Sequence, residues 1–303
     1  MESRLPEDGK AQAPSADEAD LPLWFPELMP GGHGTGFLEK TNGHSLLFVA
    51  RSAPVLLVTF DNLSNVRDRS PRRLPWAYKY ARDAKASHLG IMAHRGDWYR
   101  EPNLIARMQT LADDGFFANY ERVLFAGSSM GAFGALSFSA LVPGAHVLAF
   151  NPQSTLDPKL VPWESRYAKG QKQDWSLPFS DPACHLENAT QVSVFFDPYF
   201  EPDKRHFERL SSPSVQAYKC WFSNHKSAVF LRKIGALKPV MDEALFGELT
   251  QEKFYRLYRC RRNLPWYAGS LKHYYVQSGR AGMAKRVKRA FRAARNVSLE
   301  AAE

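Results

Sequence analysis

Short apolar runs recur along the chain, spaced widely enough for a helix to fit between neighbours. They are Val55–Phe60, His88–Ala93, Val123–Ala126, His146–Phe150, Gln191–Phe196 and Val215–Phe222. Each is short, rich in Val, Leu, Ala or Phe, and closed by polar or turn-forming residues, the signature of a strand buried on both faces. The intervening stretches carry helical patterning. That alternation predicts an α/β fold, a mainly parallel doubly wound sheet with helices on both faces. Upstream, Phe37–Ala50 reads as an antiparallel hairpin turned at Asn42-Gly43 and feeding the same sheet. The longest interruption, 151–187, carries Trp163, Tyr167 and Trp175 among scattered charges and either caps a pocket or covers the sheet's flank.

The most informative junction follows the run Val123–Ala126. There Gly127-Ser128-Ser129-Met130-Gly131 leads into the helix-like stretch Ala132–Leu141. A strand, a sharp turn of pattern G-x-S-x-G and a helix describe a nucleophile elbow. The turn strains the central serine, and the flanking glycines leave room where side chains would clash. The hydroxyl of Ser129 is thereby lifted above the sheet edge with a helix N-terminus aimed at it. A rival reading takes Gly127, Gly131 and Gly134 as a loose dinucleotide-binding loop. That loop belongs to the first strand of its domain and needs an acid about 20 positions on; here several strands come first and no acid stands in place. A Tyr-x-x-x-Lys pair is also missing.

A serine hydroxyl is a poor nucleophile until a base accepts its proton, and the base needs a third group to orient it. Asp197 ends the run Gln191–Phe196, and His225 follows the run Val215–Phe222 in Ser223-Asn224-His225-Lys226-Ser227. Asp203 lies six positions beyond Asp197 on the same loop and is the alternative acid. His206, in the charged run Asp203-Lys204-Arg205-His206, is expected to face solvent. From about Pro54 to Leu237, a little under two-thirds of the chain, the sequence resembles the α/β-hydrolase superfamily, with elbow, acid and histidine in the family's order. The resemblance implies Ser129 as nucleophile, His225 as base and Asp197 as orienting acid. It names no substrate.

An oxyanion hole needs two donors, one usually the backbone N–H after the nucleophile and one from a loop after an earlier strand. Met130 fits the first role and the backbone of Asn62, in the segment Phe60 to Asn62, the second. Bulky residues there depart from the glycine-rich loops of some esterases, and Asp61-Asn62 also suits simple turn chemistry. The loop after His88–Ala93 reads His94-Arg95-Gly96-Asp97-Trp98-Tyr99. Asp61, Arg95, Trp98 and Tyr99 are therefore candidate pocket residues for an acidic, sugar or aromatic group.

Composition narrows the setting. The 44% apolar content suits one large domain with appendages in a chain of 303 residues. No apolar run reaches the roughly 18–20 residues of a membrane span. Residues 1–22 form an acidic, polar stretch expected to be a disordered tail without a secretory signal. The hydrolase domain is expected over 23–240 and a helical, basic extension over 241–303. Three widely spaced cysteines (Cys184, Cys220, Cys260) suggest neither a disulfide framework nor a metal site. The expected location is cytoplasmic, with no cofactor.

Residues 226–303 hold 17 Lys and Arg against 6 Asp and Glu, a balance of +11 against +9 for the whole chain. Met283, Val287, Phe291 and Ala294 form an apolar stripe flanked by Lys285, Arg286, Lys288, Arg289, Arg292 and Arg295. Such a helix either packs its stripe on the domain or meets an anionic membrane or polyanion. No nucleic-acid motif accompanies it, which makes nucleic acid an unlikely partner. The function expected is cleavage of small-molecule or glycan carboxylic esters. The alternatives are acyl transfer to a glycan hydroxyl by the same serine, or a binding and assembly protein on a hydrolase scaffold.

Overall fold

The apolar runs become the sheet of the computed structural model, which describes residues 21–28, 35–68, 70 and 72–300, with side chains as far as Ala293 in the last helix. The strands are β1 (Gly36–Lys40), β2 (His44–Val49), β3 (Ala53–Phe60), β4 (Ala86–Ala93), β5 (Arg122–Ser128), β6 (His146–Phe150), β7 (Gln191–Phe196) and β8 (Val215–Lys219). Their order across the sheet is β1-β2-β4-β3-β5-β6-β7-β8. The hairpin β1–β2 joins β4 antiparallel, and every pair from β4 to β8 is parallel. The expected α/β class and the helical C-terminal region are both present.

Among the described residues the α-helices are α1 (Phe25–Leu28), α2 (Leu63–Arg67), α3 (Tyr78–Asp83), α4 (Pro102–Asp113), α5 (Met130–Phe138), α6 (Ala168–Gln171), α7 (Glu201–Arg209), α8 (Ser227–Lys233), α9 (Leu237–Phe246), α10 (Gln251–Tyr258), α11 (Pro265–Gln277) and α12 (Ala281–Glu300). Strand residues two apart face the same way, so each strand feeds two cores. Leu56, Val58, Phe60 and Phe125 meet Met108 of α4 and Phe133 of α5 on one face. Leu57, Leu124, Leu148 and Phe195 meet Phe230, Val240, Leu245, Phe254 and Tyr258 on the other. A side chain of this size buried fully contributes about 1.5–3 kcal/mol.

The boundary expected at residue 240 falls inside α9, and Phe254 and Tyr258 of α10 are fully buried in the sheet's second core. Beyond them α11 has no buried residue, and α12 packs chiefly on α11. On α12, Ala284 is buried and Val287 and Phe291 are half-buried, whereas Met283 and the charges from Lys285 to Arg292 are exposed. Apart from its last two residues, the expected disordered tail over 1–22 lies outside the described residues. Among the described residues no helix is long and apolar enough to cross a membrane. Because β3 to β8 are parallel, the residues after their C-terminal ends share one edge of the sheet, where open α/β folds bind ligands.

Candidate active site

Ser129 is the single residue between β5 and α5. Its backbone stands at φ 55° and ψ −120°, a left-handed conformation costing about 1–3 kcal/mol in a residue with a side chain. The flanking glycines make the turn possible. A Cβ on Gly127 would come within 2.2 Å of the Gly131 carbonyl oxygen, and one on Gly131 within 2.2 Å of the Phe60 carbonyl oxygen. The Ser129 N–H donates to Phe150 O at 2.8 Å and ties the elbow to β6.

The imidazole of His225 faces the serine, with Nε2 2.8 Å from Ser129 Oγ. On its other side Nδ1 lies 2.8 Å from both carboxylate oxygens of Asp203. An ionised carboxylate only accepts hydrogen bonds, so Nδ1 carries the proton and Nε2 is left as acceptor for the serine hydroxyl. The Asp203 side chain is fully buried in the first turn of α7 and accepts from Asn151 Nδ2 at 2.8 Å and Arg166 Nη1 at 3.1 Å.

The structure corrects the expected acid: Asp203, not Asp197, lies against His225. Asp197 accepts the backbone N–H groups of Tyr199 at 3.0 Å and Asn224 at 2.8 Å, and so fixes the loop that carries His225. Burial raises its pKa against those bonds. The physical reason is local. The carboxylate at the strand end serves as a turn cap, and the following turn aims the first turn of α7 back over the sheet edge.

His206 is also corrected, being fully buried rather than solvent-facing. Its Nδ1 accepts Ser154 N–H at 3.1 Å, and its Nε2 lies 3.0 Å from Glu164 Oε2. Burial lowers its pKa despite the facing Glu164, which keeps the ring neutral with its proton on Nε2. Burial acts to raise Glu164, but hydrogen bonds from His206 and Arg166 outweigh it and hold the carboxyl at about 2.

Asn62 cannot supply the expected second backbone donor. It is the N-cap of α2, and its N–H donates to Asn65 Oδ1 at 3.0 Å in a capping box. The Asp61 N–H is likewise taken by Ile91 O at 3.2 Å. Met130 opens α5, where an N–H has no carbonyl one turn back.

Three of the four expected pocket residues also stand elsewhere. Asp61 is buried in an ion pair with Arg73 and accepts the N–H groups of Trp76 and Ala93 at 3.1 and 3.2 Å. Burial outweighs those partners and raises its pKa to about 6. Tyr99 is buried between Phe60 and His44, with its hydroxyl on the Asp61 carbonyl. The half-exposed side chain of Arg95 pairs with Asp97 and lines a separate cavity with Lys169 and Lys172.

Trp98 is near the serine at one remove. Its Nε1–H donates to Gln153 Oε1 at 3.1 Å, and Gln153 Nε2 lies 3.4 Å from Ser129 Oγ. Tyr167 places its hydroxyl 3.0 Å from His225 Nε2, and burial raises its pKa so that it stays protonated. Asn151, Gln153, Arg166 and Tyr167 were not singled out by sequence reasoning as site residues. The signal available was the position of Asn151-Pro152-Gln153 directly after β6, at the ligand-binding edge. The segment 151–187 thus caps the serine. Among the described residues no group of three or more His, Cys, Asp or Glu is arranged to hold a metal ion.

No family model matches the chain, and no curated protein matches it. Solved structures do. The crystal structure of EstE5-PMSF is 12% identical over 73% of this chain and 85% of that chain, with a TM-score of 0.50. The capsule O-acetyltransferase of Neisseria meningitidis serogroup A is 13% identical over 67% and 93%, with a TM-score of 0.46. Carboxyl esterase 2 from the mycorrhizal fungus Tuber melanosporum is 15% identical over 76% and 87%, with a TM-score of 0.40. At these identities the likeness is one of fold alone: this chain has the α/β-hydrolase fold.

Proposed function

We propose that this protein is a serine hydrolase that cleaves carboxylic esters through an acyl-enzyme. The observation that carries the reading is the chain Ser129 Oγ, His225 Nε2, His225 Nδ1 and Asp203, each link at 2.8 Å. As Oγ attacks the ester carbonyl carbon, its proton passes to His225 Nε2, and Asp203 stabilises the imidazolium. The carbonyl π pair moves to oxygen, toward the Met130 N–H. Collapse breaks the bond to the alcohol oxygen, which takes the proton from His225. A water then gives its proton to His225, attacks the acyl carbon and releases the acid while Oγ regains a proton.

A second reading sends the acyl group to an alcohol such as a sugar hydroxyl instead of water. It is favoured by a cavity of about 490 Å³ beside the histidine loop, lined by Phe222, Asn224, Ser270, His273, Tyr274 and Gln277. Aromatic faces and amide side chains suit a polyhydroxylated acceptor. Product analysis with acceptor glycans separates the two; products of hydrolysis alone exclude transfer.

The triad is tested by labelling the purified protein with a fluorophosphonate probe and mapping the modified peptide. The expected result is modification at Ser129 that disappears in Ser129→Ala and falls at least a hundredfold in rate in His225→Ala. Undiminished labelling of Ser129→Ala would refute the assignment.

A further inference from the structure

We infer that the side-chain amide of Gln153 is the second oxyanion donor, completing a hole of which Met130 supplies the backbone half. The inference rests on Ser129 being the nucleophile. The need for such a donor comes from the loop after β3, where the hydrolase fold usually provides one. Both candidate N–H groups there are taken, Asn62 by its own capping box and Asp61 by the Ile91 carbonyl. A hole with one donor would leave half of the developing charge unmatched, and the Gln153 side-chain amide stands within 3.4 Å of Ser129 Oγ.

Gln153 is fully buried, and a buried amide is retained where its polar atoms have partners. Its two ends are distinguishable by chemistry. The indole of Trp98 can only donate, so the atom it meets at 3.1 Å is the amide oxygen. The other end, the NH2, therefore points to Ser129 Oγ, at 3.4 Å. That separation is long for a ground-state bond to the hydroxyl. It suits a donor whose acceptor arrives with the substrate, because the carbonyl oxygen enters the space next to Oγ when the C–O bond forms. In the tetrahedral intermediate the new Oγ–C bond has formed, the π pair resides on that oxygen, and the proton of Ser129 resides on His225 Nε2. The amide then meets a full negative charge beside the Trp98 and Tyr167 rings, whose centroids lie 5.1 Å apart.

The supporting backbone is held in place on both sides. Asn151, two residues before Gln153, has φ +50° and is clamped by its bonds to Asp203 and Ser227. Trp98 has φ +50° and Tyr99 φ +56°, conformations that bulky residues adopt only under constraint. They turn the Trp98 indole inward beneath the amide. Gln153 acts on the reacting atoms, and Trp98 is its positioning residue.

The test compares wild type with Gln153→Ala, Gln153→Glu, Trp98→Phe and Ser129→Ala, using p-nitrophenyl acetate turnover, fluorophosphonate labelling and the affinity of a short-chain trifluoromethyl ketone. That ketone adds to a serine as a hemiketal whose oxygen occupies the oxyanion position. Gln153→Ala is expected to lower kcat by about 10²–10³ with KM changed less than about threefold. The ketone's affinity should fall in step with kcat/KM. Gln153→Glu keeps the shape and the acceptor for Trp98 but removes the donor, so it should lose at least as much. Trp98→Phe should lose about 10–100-fold, again in kcat. The inference is overturned if both Gln153 variants keep kcat and ketone affinity within threefold of wild type, or if they alter only KM or melting temperature. In those cases loss of labelling in Ser129→Ala would leave the triad standing. Undiminished labelling of Ser129→Ala would instead remove the triad and this inference with it.

Discussion

Replacing Asp203 by Asn separates the two acids of this loop. The Asp203 carboxylate accepts Asn151 Nδ2 on one oxygen and Arg166 Nη1 on the other, while His225 Nδ1 lies 2.8 Å from both. An amide has one acceptor and one donor end. Whichever way it is turned, its NH2 faces a donor, either the Asn151 amide or the Arg166 guanidinium. Where it also faces His225, the imidazole must move its proton to Nε2 and can no longer accept from Ser129. A wrong tautomer of this kind lowers kcat by about 10⁴, equivalent to about 5.5 kcal/mol. The unpaired buried donor costs a further ~1–3 kcal/mol of stability. Asp197→Asn removes one charged acceptor from the Tyr199 and Asn224 amides, with a cost of about 1–3 kcal/mol in stability and less than about tenfold in kcat. Ester turnover and fluorophosphonate labelling, each with a urea midpoint on the same sample, measure both effects. Collapse of activity in Asp197→Asn, with Asp203→Asn within tenfold of wild type, would refute the reasoning.

Other perturbations follow from the same network. Asn151→Ala strips Asp203 of one donor and leaves Ser227 N–H, now 2.6 Å from Asn151 Oδ1, without its acceptor; the expected loss is about 2–4 kcal/mol by urea unfolding, and unchanged stability would contradict the clamp. Glu164 gives an acid-range test. Its carboxyl, held at about 2 instead of 4.5, supports the fold above pH 4.5 and loses that support as the pH falls toward 2, by about 3 kcal/mol in total. Glu164→Gln should flatten the decline of stability between pH 4.5 and 2.5, and an unchanged slope would show that the carboxyl is not the group responsible.

The outline of the fold was legible in the sequence because it depends on local patterning. Runs such as Val55–Phe60 and Gln191–Phe196 can only be strands covered on both faces, and helices between them force a parallel sheet. The last run was read too long. It was expected to reach Phe222, but β8 ends at Lys219 because the chain turns, with Phe222 at φ +64°, to deliver His225. The glycine spacing around Ser129 was equally readable as a motif: a Cβ on Gly127 would strike the Gly131 carbonyl four positions on, whereas the carbonyl that excludes a Cβ on Gly131 belongs to Phe60 of β3 and is supplied by the fold.

What the sequence alone determined was the order of strands and helices, the elbow, and the edge of the sheet to which the chemistry-bearing loops return. Which acid reaches His225 was decided by the direction of α7, and direction in space is not encoded in a six-residue separation. The same holds for Gln153 and Tyr167, which lie 24 and 58 positions from their partners Ser129 and His225. The capping box that removes Asn62 from the oxyanion hole is local, yet its consequence depends on what else surrounds the serine. Periodicity specifies which face of an element is buried. Only the packed fold specifies which donors and acceptors meet across that edge, because hydrogen bonds depend on distances of a few ångströms set by every layer beneath them.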